Sequence, residues 1–412
     1  MTSAMAAARE RAYSLPIEAI NVADPELFRT HTMWPYFERL RREAPIHYCA
    51  KSRDGPYWSV TKYKDILHVD TNPDIFSAQP AIAIGDPLLG SQLPMFIAMD
   101  PPKHTARRKV VSPIVGGPSL AAFEPLIRER VGAVLDSLPV GETFDWVDRV
   151  SIEVTTQMLA TLFDFPWEDR RKLPRWSDVA TAEPNNTAVI ASEIARHREL
   201  AECATYFVRL WNERVNAPPK GDLVSMLAHS ETTRGMNRVE YMGNVILMII
   251  GGNDTTRNSI TGGVLALNQY PEEYEKLRQD PSLVTSMVPE IIRWQTPIGY
   301  IRRTASVDTE LGGQRIKKGQ KVVMWYVSGN RDEEAIDNPN AFIIDRPRPR
   351  EHLAFGFGIH RCLGNRLAEL QLKIVWEEIL KRFSFVEVMG EPDRVASAFI
   401  NGYHSLPVRL HA

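Results

Sequence analysis

A mainly α-helical fold with a small β region is the class this sequence predicts. Helical patterning dominates from His104 to about residue 296, broken at Pro139, Pro166, Pro184 and Pro218-Pro219. Within it, the stretch from Met236 to about Asn268 contains no proline. It reads as one helix of about 33 residues, about 50 Å long, enough to cross a whole domain. After Pro297 the character changes, and short β-prone pieces such as Val322-Val323-Met324-Trp325 alternate with turns.

In chain order, residues 1 to about 24 are expected to form a loosely held arm, and 25–412 a single domain. Pro25 to Arg42 reads as an amphipathic helix. Ile46-His47-Tyr48 and Tyr57-Trp58-Ser59-Val60, joined through Ser52-Arg53-Asp54-Gly55, read as a hairpin. Residues 79–102 are rich in proline, glycine and apolar side chains (Ile82, Ile84, Leu88, Leu89, Leu93, Met95, Phe96, Ile97). A long apolar loop is more often functional than idle, which makes this one a candidate pocket wall. The β-rich part is expected over about 46–60, about 300–325 and the C-terminal tail. A Pro/Arg-rich stretch from Asp345 to Arg350 leads into a Gly-rich loop and a last helix from about Asn365 to Arg382.

A composition of 44% hydrophobic and 24% charged residues lets the chain bury a large core and still enclose a sizeable ligand. The net charge of -2 argues against a nucleic-acid binder. Cys49, Cys203 and Cys362 are widely separated with no CxxC spacing, which argues against a disulfide framework or a zinc site and fits a reducing cytoplasm. Met1 to Leu15 lacks the apolar stretch of a secretory signal. The longest apolar run, Val245 to Ile250, falls far short of the roughly 20 residues that span a bilayer. A soluble, cytoplasmic monomer with no membrane span is expected.

The most informative segment runs from Phe355 to Gly364: Phe355-Gly356-Phe357-Gly358-Ile359-His360-Arg361-Cys362-Leu363-Gly364. Its glycines permit tight turns and close approach to a flat ligand. Cys362 falls just before a predicted helix N-terminus, where unpaired N–H groups and the helix dipole stabilise a thiolate. In the long helix, Gly251-Gly252-Asn253-Asp254-Thr255-Thr256 places two glycines that cost about 1 kcal/mol each relative to alanine. Losing two side chains lets a helix pass close to a planar group, and an acid beside an alcohol can relay protons. Glu290 and Arg293, at i,i+3, face the same way on a helix. Pro289 directly before them suggests that the helix starts or kinks there.

The Phe355–Gly364 segment matches FGxGxHxCxG at every fixed position and so resembles the ligand loop of the cytochrome P450 family. The remaining motifs follow in order through most of the chain. The resemblance implies the cytochrome P450 fold. Haem b would lie between the long central helix and the Cys362 loop, with Cys362 as axial thiolate ligand of the iron. Phe355, Gly364 and Gly251 would lie against the cofactor. Gly251 to Thr255 resembles the family's [A/G]GxDT motif, which makes Asp254 and Thr255 the acid–alcohol pair. Glu290-Ile291-Ile292-Arg293 matches ExxR, a structural pair that bonds to backbone ahead of the ligand loop. Asp100 to Arg108 resembles DPPxHxxxR and Arg303 to Asp308 resembles RxAxxD. With His360, these imply that His104, Arg108 and Arg303 bind the haem propionates.

The expected function is that of a haem-thiolate monooxygenase using O2. Electrons would come from NAD(P)H through a separate reductase and a ferredoxin, since the chain has no flavin or nicotinamide domain. Lys103, Arg107, Lys109, Arg361 and Arg366 form a candidate docking patch for an acidic ferredoxin. Leu93, Met95, Leu247, Ile250, Ile298, Gly299 and Phe399 are candidate pocket walls, apolar and uncharged, which suit a small hydrophobic substrate. Gly251–Ser259, Arg293–Pro297 and Tyr326–Glu333 resemble the bacterial alkane terminal-hydroxylase family. That implies terminal (ω) hydroxylation of medium-chain alkanes, fatty acids or similar chains. Alternatives are a hydroxylase of bulkier terpenoids or steroids and, from another class, a non-catalytic haem-binding sensor.

Overall fold

A computed structural model describes residues 3–86, 93–182 and 189–412. Pro184, Leu88 and Leu89, singled out above, lie outside them. The chain is mainly helical, and its longest helix is Arg238–Gln269. Asn237 caps the start by accepting the Glu240 N–H at 2.8 Å, and Pro271 opens the next helix, Pro271–Gln279. From Thr256 to Leu267 every residue of the long helix is buried, the expected state of a helix at the centre of a core. Around it pack the helices Glu153–Phe163, Lys172–Thr181, Val284–Gln295 and Asn365–Arg382. Val245, Ile249, Ile260, Val264 and Leu267 are fully buried in that core, each worth roughly 1.5–3 kcal/mol of transfer free energy.

The β region forms a five-stranded sheet in the order Ile46–Cys49, Tyr57–Val60, Lys321–Met324, Ile301–Ala305, Phe76–Ser77. The expected hairpin is its first pair, with Ile46 opposite Val60. The tail strand Pro407–His411 pairs with Phe385–Val388 and also with Thr143–Asp145. No local pattern announced that last partner.

Three expectations are corrected. The N-terminal arm is not loose: Ser3–Ser14 is a helix, fixed to Trp34–Glu43 by a two-pronged Arg9–Glu38 pair and by Arg39 donating to the Ala12 and Leu15 carbonyls. The stretch 25–42 is not one helix but two, Pro25–Arg29 and Trp34–Glu43. His31, at φ 56, turns the chain between them. The helix carrying Glu290 begins at Val284 and passes through Pro289, so the proline does not start it.

Glu290 and Arg293 are fully buried, with two contacts at 2.7 Å. Arg293 donates to the carbonyls of Asn330, Pro339 and Ala341 at 2.7–2.9 Å. Glu290 accepts the Ile343 N–H and Arg346. The pair thus supplies partners for the irregular backbone between residues 330 and 346, where Arg331 and Arg346 also donate to the Pro339 and Ala341 carbonyls. Among the described residues no single helix is long and apolar enough to cross a membrane.

Candidate active site

Cys362 precedes helix Asn365–Arg382, and the N–H groups of Gly364 and Asn365 act on its sulfur to lower its pKa. Its own N–H donates to the Phe355 carbonyl at 2.8 Å and closes the loop. Gly356 and Gly358 adopt φ 63 and 65, a region glycine enters without steric cost. They also give clearance, since a Cβ on Gly358 would lie 2.6 Å from the Asp70 carbonyl oxygen. Gly364 differs: its φ is -87, and a Cβ there would touch nothing within 4 Å.

Desolvation pushes the Cys362 thiol above its ordinary pKa. The two N–H groups and the charges of Arg108 and Arg361 pull it down without reversing the shift. A metal cation at the sulfur would act the other way, because a coordinating thiol is deprotonated outright.

Beside the loop, His104 and His360 lie with ring centroids 4.1 Å apart. All four ring nitrogens are buried and, among the described residues, without a hydrogen-bond partner. Arg108 donates to the Arg361 carbonyl, and among the described residues no carboxylate pairs with it. Burial, with Arg303, His104 and Arg108 nearby, depresses His360 to about 2. Buried donors without acceptors in a crowd of cations are costly unless an anion joins them. Two carboxylates of a haem fit this donor set, and His104, Arg108, Arg303 and His360 are the residues that could hold them. Arg303 is the exception in having an anion already: it donates to Asp70 at 2.8 Å, both side chains buried.

On the central helix the glycine pair has two separate uses. A Cβ on Gly252 would lie 2.7 Å from Leu159 of the neighbouring helix, so Gly252 serves packing. Gly251 is exposed, and a Cβ there would meet nothing within 4 Å. The helix stays unbroken across this turn, with the Thr255 hydroxyl donating to the Gly251 carbonyl at 2.8 Å. Asp254 is fully buried and turned elsewhere. It accepts from Ser177 at 3.1 Å and Asn253 at 3.0 Å, and pairs with Arg257 at 3.1 Å. Arg257 also holds Asp178 at 2.6 Å. Burial raises Asp254 well above the usual carboxylate range, to about 6; Arg257 opposes this and Asp178 adds to it. An acid poised near neutrality is suited to giving and taking protons. Asp254 and Thr255 are adjacent in sequence but not hydrogen-bonded to each other.

Of the candidate walls, Leu93, Met95, Leu247, Ile250, Ile298 and Phe399 are half-buried. Leu93, Leu247 and Ile250 pack on the large core that includes the central helix; Ile298 and Phe399 pack on the core around the sheet. Gly299 is no wall: it is buried, and a Cβ would lie 2.3 Å from the Ala398 carbonyl. Its N–H donates to Phe399, so it holds the tail in place. The 93–96 stretch is clasped to the central helix. Phe96 N–H donates to Asn244 at 2.9 Å, and a Cβ on Gly243 would lie 2.2 Å from the Pro94 carbonyl oxygen.

In the basic patch Lys103 and Arg107 both pair with Glu240, and Lys103 stays exposed with Lys109, Arg361 and Arg366. The sequence reading missed Asp70, Asn244, Ser177, Asp178 and Arg257. The one available signal was Asp70 itself, a carboxylate on the apolar face of helix Tyr63–Thr71 beside Ile66 and Val69.

A model of the family described as Cytochrome P450 matches residues 194–400. Linalool 8-monooxygenase of Pseudomonas putida is 34% identical, covering 96% of this chain and 99% of that protein. Methyl-branched lipid omega-hydroxylase of Mycobacterium bovis is 32% identical over 90% of each. The structure of CYP153D17 from Sphingomonas sp. PAMC 26605 superposes with TM-score 0.91 at 47% identity, covering 95% of this chain and 99% of that one. The chain belongs to the cytochrome P450 family. It is a monooxygenase of that family, and membership implies a haem cofactor.

Proposed function

We propose that this monooxygenase hydroxylates the terminal carbon of linear aliphatic substrates, medium-chain alkanes or fatty acids. The observation that carries this reading is the clasp of the 93–96 stretch on Gly243 and Asn244. It fixes the stretch that carries Leu93 and Met95 to the helix that carries Leu247 and Ile250, and Leu93, Leu247 and Ile250 pack on the same core. A terminal C–H bond is stronger than an internal one, so a fixed wall that presents only the chain end must supply the selectivity. Likeness to an omega-hydroxylase supports the reading; likeness to a linalool monooxygenase supports the alternative, a terpenoid substrate.

In this reading Cys362 binds the iron, with Phe355, Gly364 and Gly251 against the cofactor, and His104, Arg108, Arg303 and His360 hold the propionates. When bound, the haem activates O2 and places one oxygen atom into the C–H bond, the other leaving as water with two electrons and two protons. Asp254 carries protons from the Arg257–Asp178 side, and Thr255 positions the donor next to the open face at Gly251. Electrons come from NAD(P)H through a reductase and an acidic ferredoxin docking on Lys109, Arg361 and Arg366. Octane or dodecanoic acid, with a surrogate ferredoxin system, should give mainly the ω-alcohol. Mainly ω-1 and ω-2 products, or turnover of terpenoids alone, would overturn the substrate assignment. Arg361→Glu should slow ferredoxin-driven reduction and flatten its salt dependence; unchanged kinetics would remove the docking site.

A further inference from the structure

The cations expected to face the propionates are not equivalent, because one of them shares its charge with Asp70. The Asp70 carboxylate is buried at 3% exposure and accepts three hydrogen bonds. They come from Arg303 at 2.8 Å, the Tyr326 hydroxyl at 3.0 Å and the Phe357 N–H at 2.7 Å. Those donors belong to strand Ile301–Ala305, the short helix Tyr326–Gly329 and the Cys362 loop. Asp70 itself sits on helix Tyr63–Thr71, so one side chain joins four pieces of chain.

The chemistry selects an ionised carboxylate at this point. A guanidinium, a phenol and an amide N–H all arrive as donors. An asparagine would have to turn two N–H donors into the same space, whereas a carboxylate accepts from all three. The backbone of the ligand loop is shaped to the same residue. A Cβ on Gly356 would lie 3.1 Å from an Asp70 carboxylate oxygen, and one on Gly358 2.6 Å from its carbonyl. Among the described residues, no such anion bonds to the ring nitrogens of His104 and His360.

We propose that Asp70 is a positioning residue of the haem site: its buried carboxylate fixes Arg303 and the Cys362 loop, and its charge lowers the haem reduction potential. The inference rests on haem lying against Cys362, Arg303 and the two histidines. Reduction adds one electron to the cofactor. A fixed negative charge beside a propionate-binding arginine cancels part of the positive field that would favour that electron. Removing it favours the reduced form.

The test is the Asp70→Asn holoprotein, measured by spectroelectrochemistry beside wild type. The red-shifted band of the reduced carbon monoxide complex should persist, reporting intact Cys362 ligation. The ferric/ferrous equilibrium should shift about tenfold toward ferrous, about 59 mV more positive for one electron. Tyr326→Phe, which removes one donor to Asp70 and no charge, should leave the potential where it is. An intact band with an unshifted potential in Asp70→Asn overturns the proposal. So does a shift of equal size in Tyr326→Phe, which would assign the effect to packing. Should Asp70→Asn fold by circular dichroism yet fail to hold haem, Asp70→Glu decides. Haem retained with the glutamate supports the positioning role; haem lost in both overturns it. Loss of the carbon monoxide band in wild type would instead sink the haem-ligand reading itself.

Discussion

The loop around Cys362 and the turn around Asp254 each hold an ionisable group, exposed at Cys362 and fully buried at Asp254, and they treat it in different ways. At Cys362 the polar groups that hold the pKa down include the backbone N–H groups two and three residues further along, Gly364 and Asn365. At Asp254 they are side chains, among them Ser177 from helix Lys172–Thr181 and Arg257, which is itself held by Asp178. Desolvation raises both pKa values above their ordinary positions. The consequences differ. An exposed sulfur beside backbone N–H groups suits the ligand role proposed for the loop. A carboxyl moved to about 6 suits the proton-carrying role proposed for the helix turn.

The largest effect that would break this comparison is at the sulfur. Cys362→His should abolish the red-shifted carbon monoxide band altogether, since imidazole cannot replace thiolate donation; a surviving band would place the ligand elsewhere. Next is Arg293→Ala, which takes from Glu290 its two-pronged partner, leaving Arg346, and takes one donor from each of three carbonyls, of which Pro339 and Ala341 keep Arg331 and Arg346. With Glu290 still paired, the loss should lie at about 3 kcal/mol, the low end for a broken buried pair. Thermal melting should fall accordingly, with haem content lost before helicity. A variant that melts like wild type would show that the backbone between 330 and 346 holds itself.

Much of the loop was legible because its determinants are local. The glycines, the Cys362 position and the helix start near Asn365 all lie within a dozen residues, and the structure begins that helix at Asn365. The hairpin and the long helix were legible for the same reason, a short-range period. What stayed hidden lies far apart in sequence. Asp70 meets Arg303, Tyr326 and Phe357 across 233, 256 and 287 residues, and no period connects them. The Ser3–Ser14 helix shows little amphipathic pattern; its Arg9–Glu38 and Arg39 contacts are tertiary. The break at His31 is a single left-handed residue within a segment whose apolar spacing continues across it. At the helix turn, sequence identified the acid and the alcohol but not that the acid faces Arg257 while the alcohol bonds to Gly251.

That separation of acid and alcohol gives the middle-sized predictions. Thr255→Ala keeps Cys362 untouched, so the carbon monoxide band should remain. Product formed per NAD(P)H should fall about tenfold or more, with hydrogen peroxide rising to match, since a positioned proton donor is worth at least that much. Unchanged coupling would move the relay off this turn. Asp254 makes a prediction on stability as well. Its folded value of about 6 lies above the ordinary 3.8. Between about pH 4 and pH 6 the folded protein therefore keeps a proton that the unfolded chain has released. Stability should fall as pH rises through that window and level off above it. Asp254→Asn should remove this slope, as read from melting temperatures across the window. Identical pH profiles for the two proteins would mean that Arg257 keeps Asp254 ionised throughout.

The smallest expected effect tests whether the helix also shapes the substrate's approach. Gly243 lies on the same helix, ahead of the acid–alcohol turn, where the Pro94 carbonyl packs onto it. Gly243→Ala would drive a methyl group to within 2.2 Å of that oxygen, so the 93–96 stretch must move. Overpacking of this kind costs about 1–3 kcal/mol. The Asn244 bond to Phe96 limits the movement to a shift of the wall. With Cys362, Asp254 and Thr255 unaltered, the carbon monoxide band and the coupling to NAD(P)H should stay near wild type. The ratio of ω to ω-1 alcohol from a linear chain should drop by about threefold, the scale on which a pocket senses less than one methylene. A product ratio that does not move, in a variant whose melting point does, would separate the clasp from selectivity and leave it a packing contact alone.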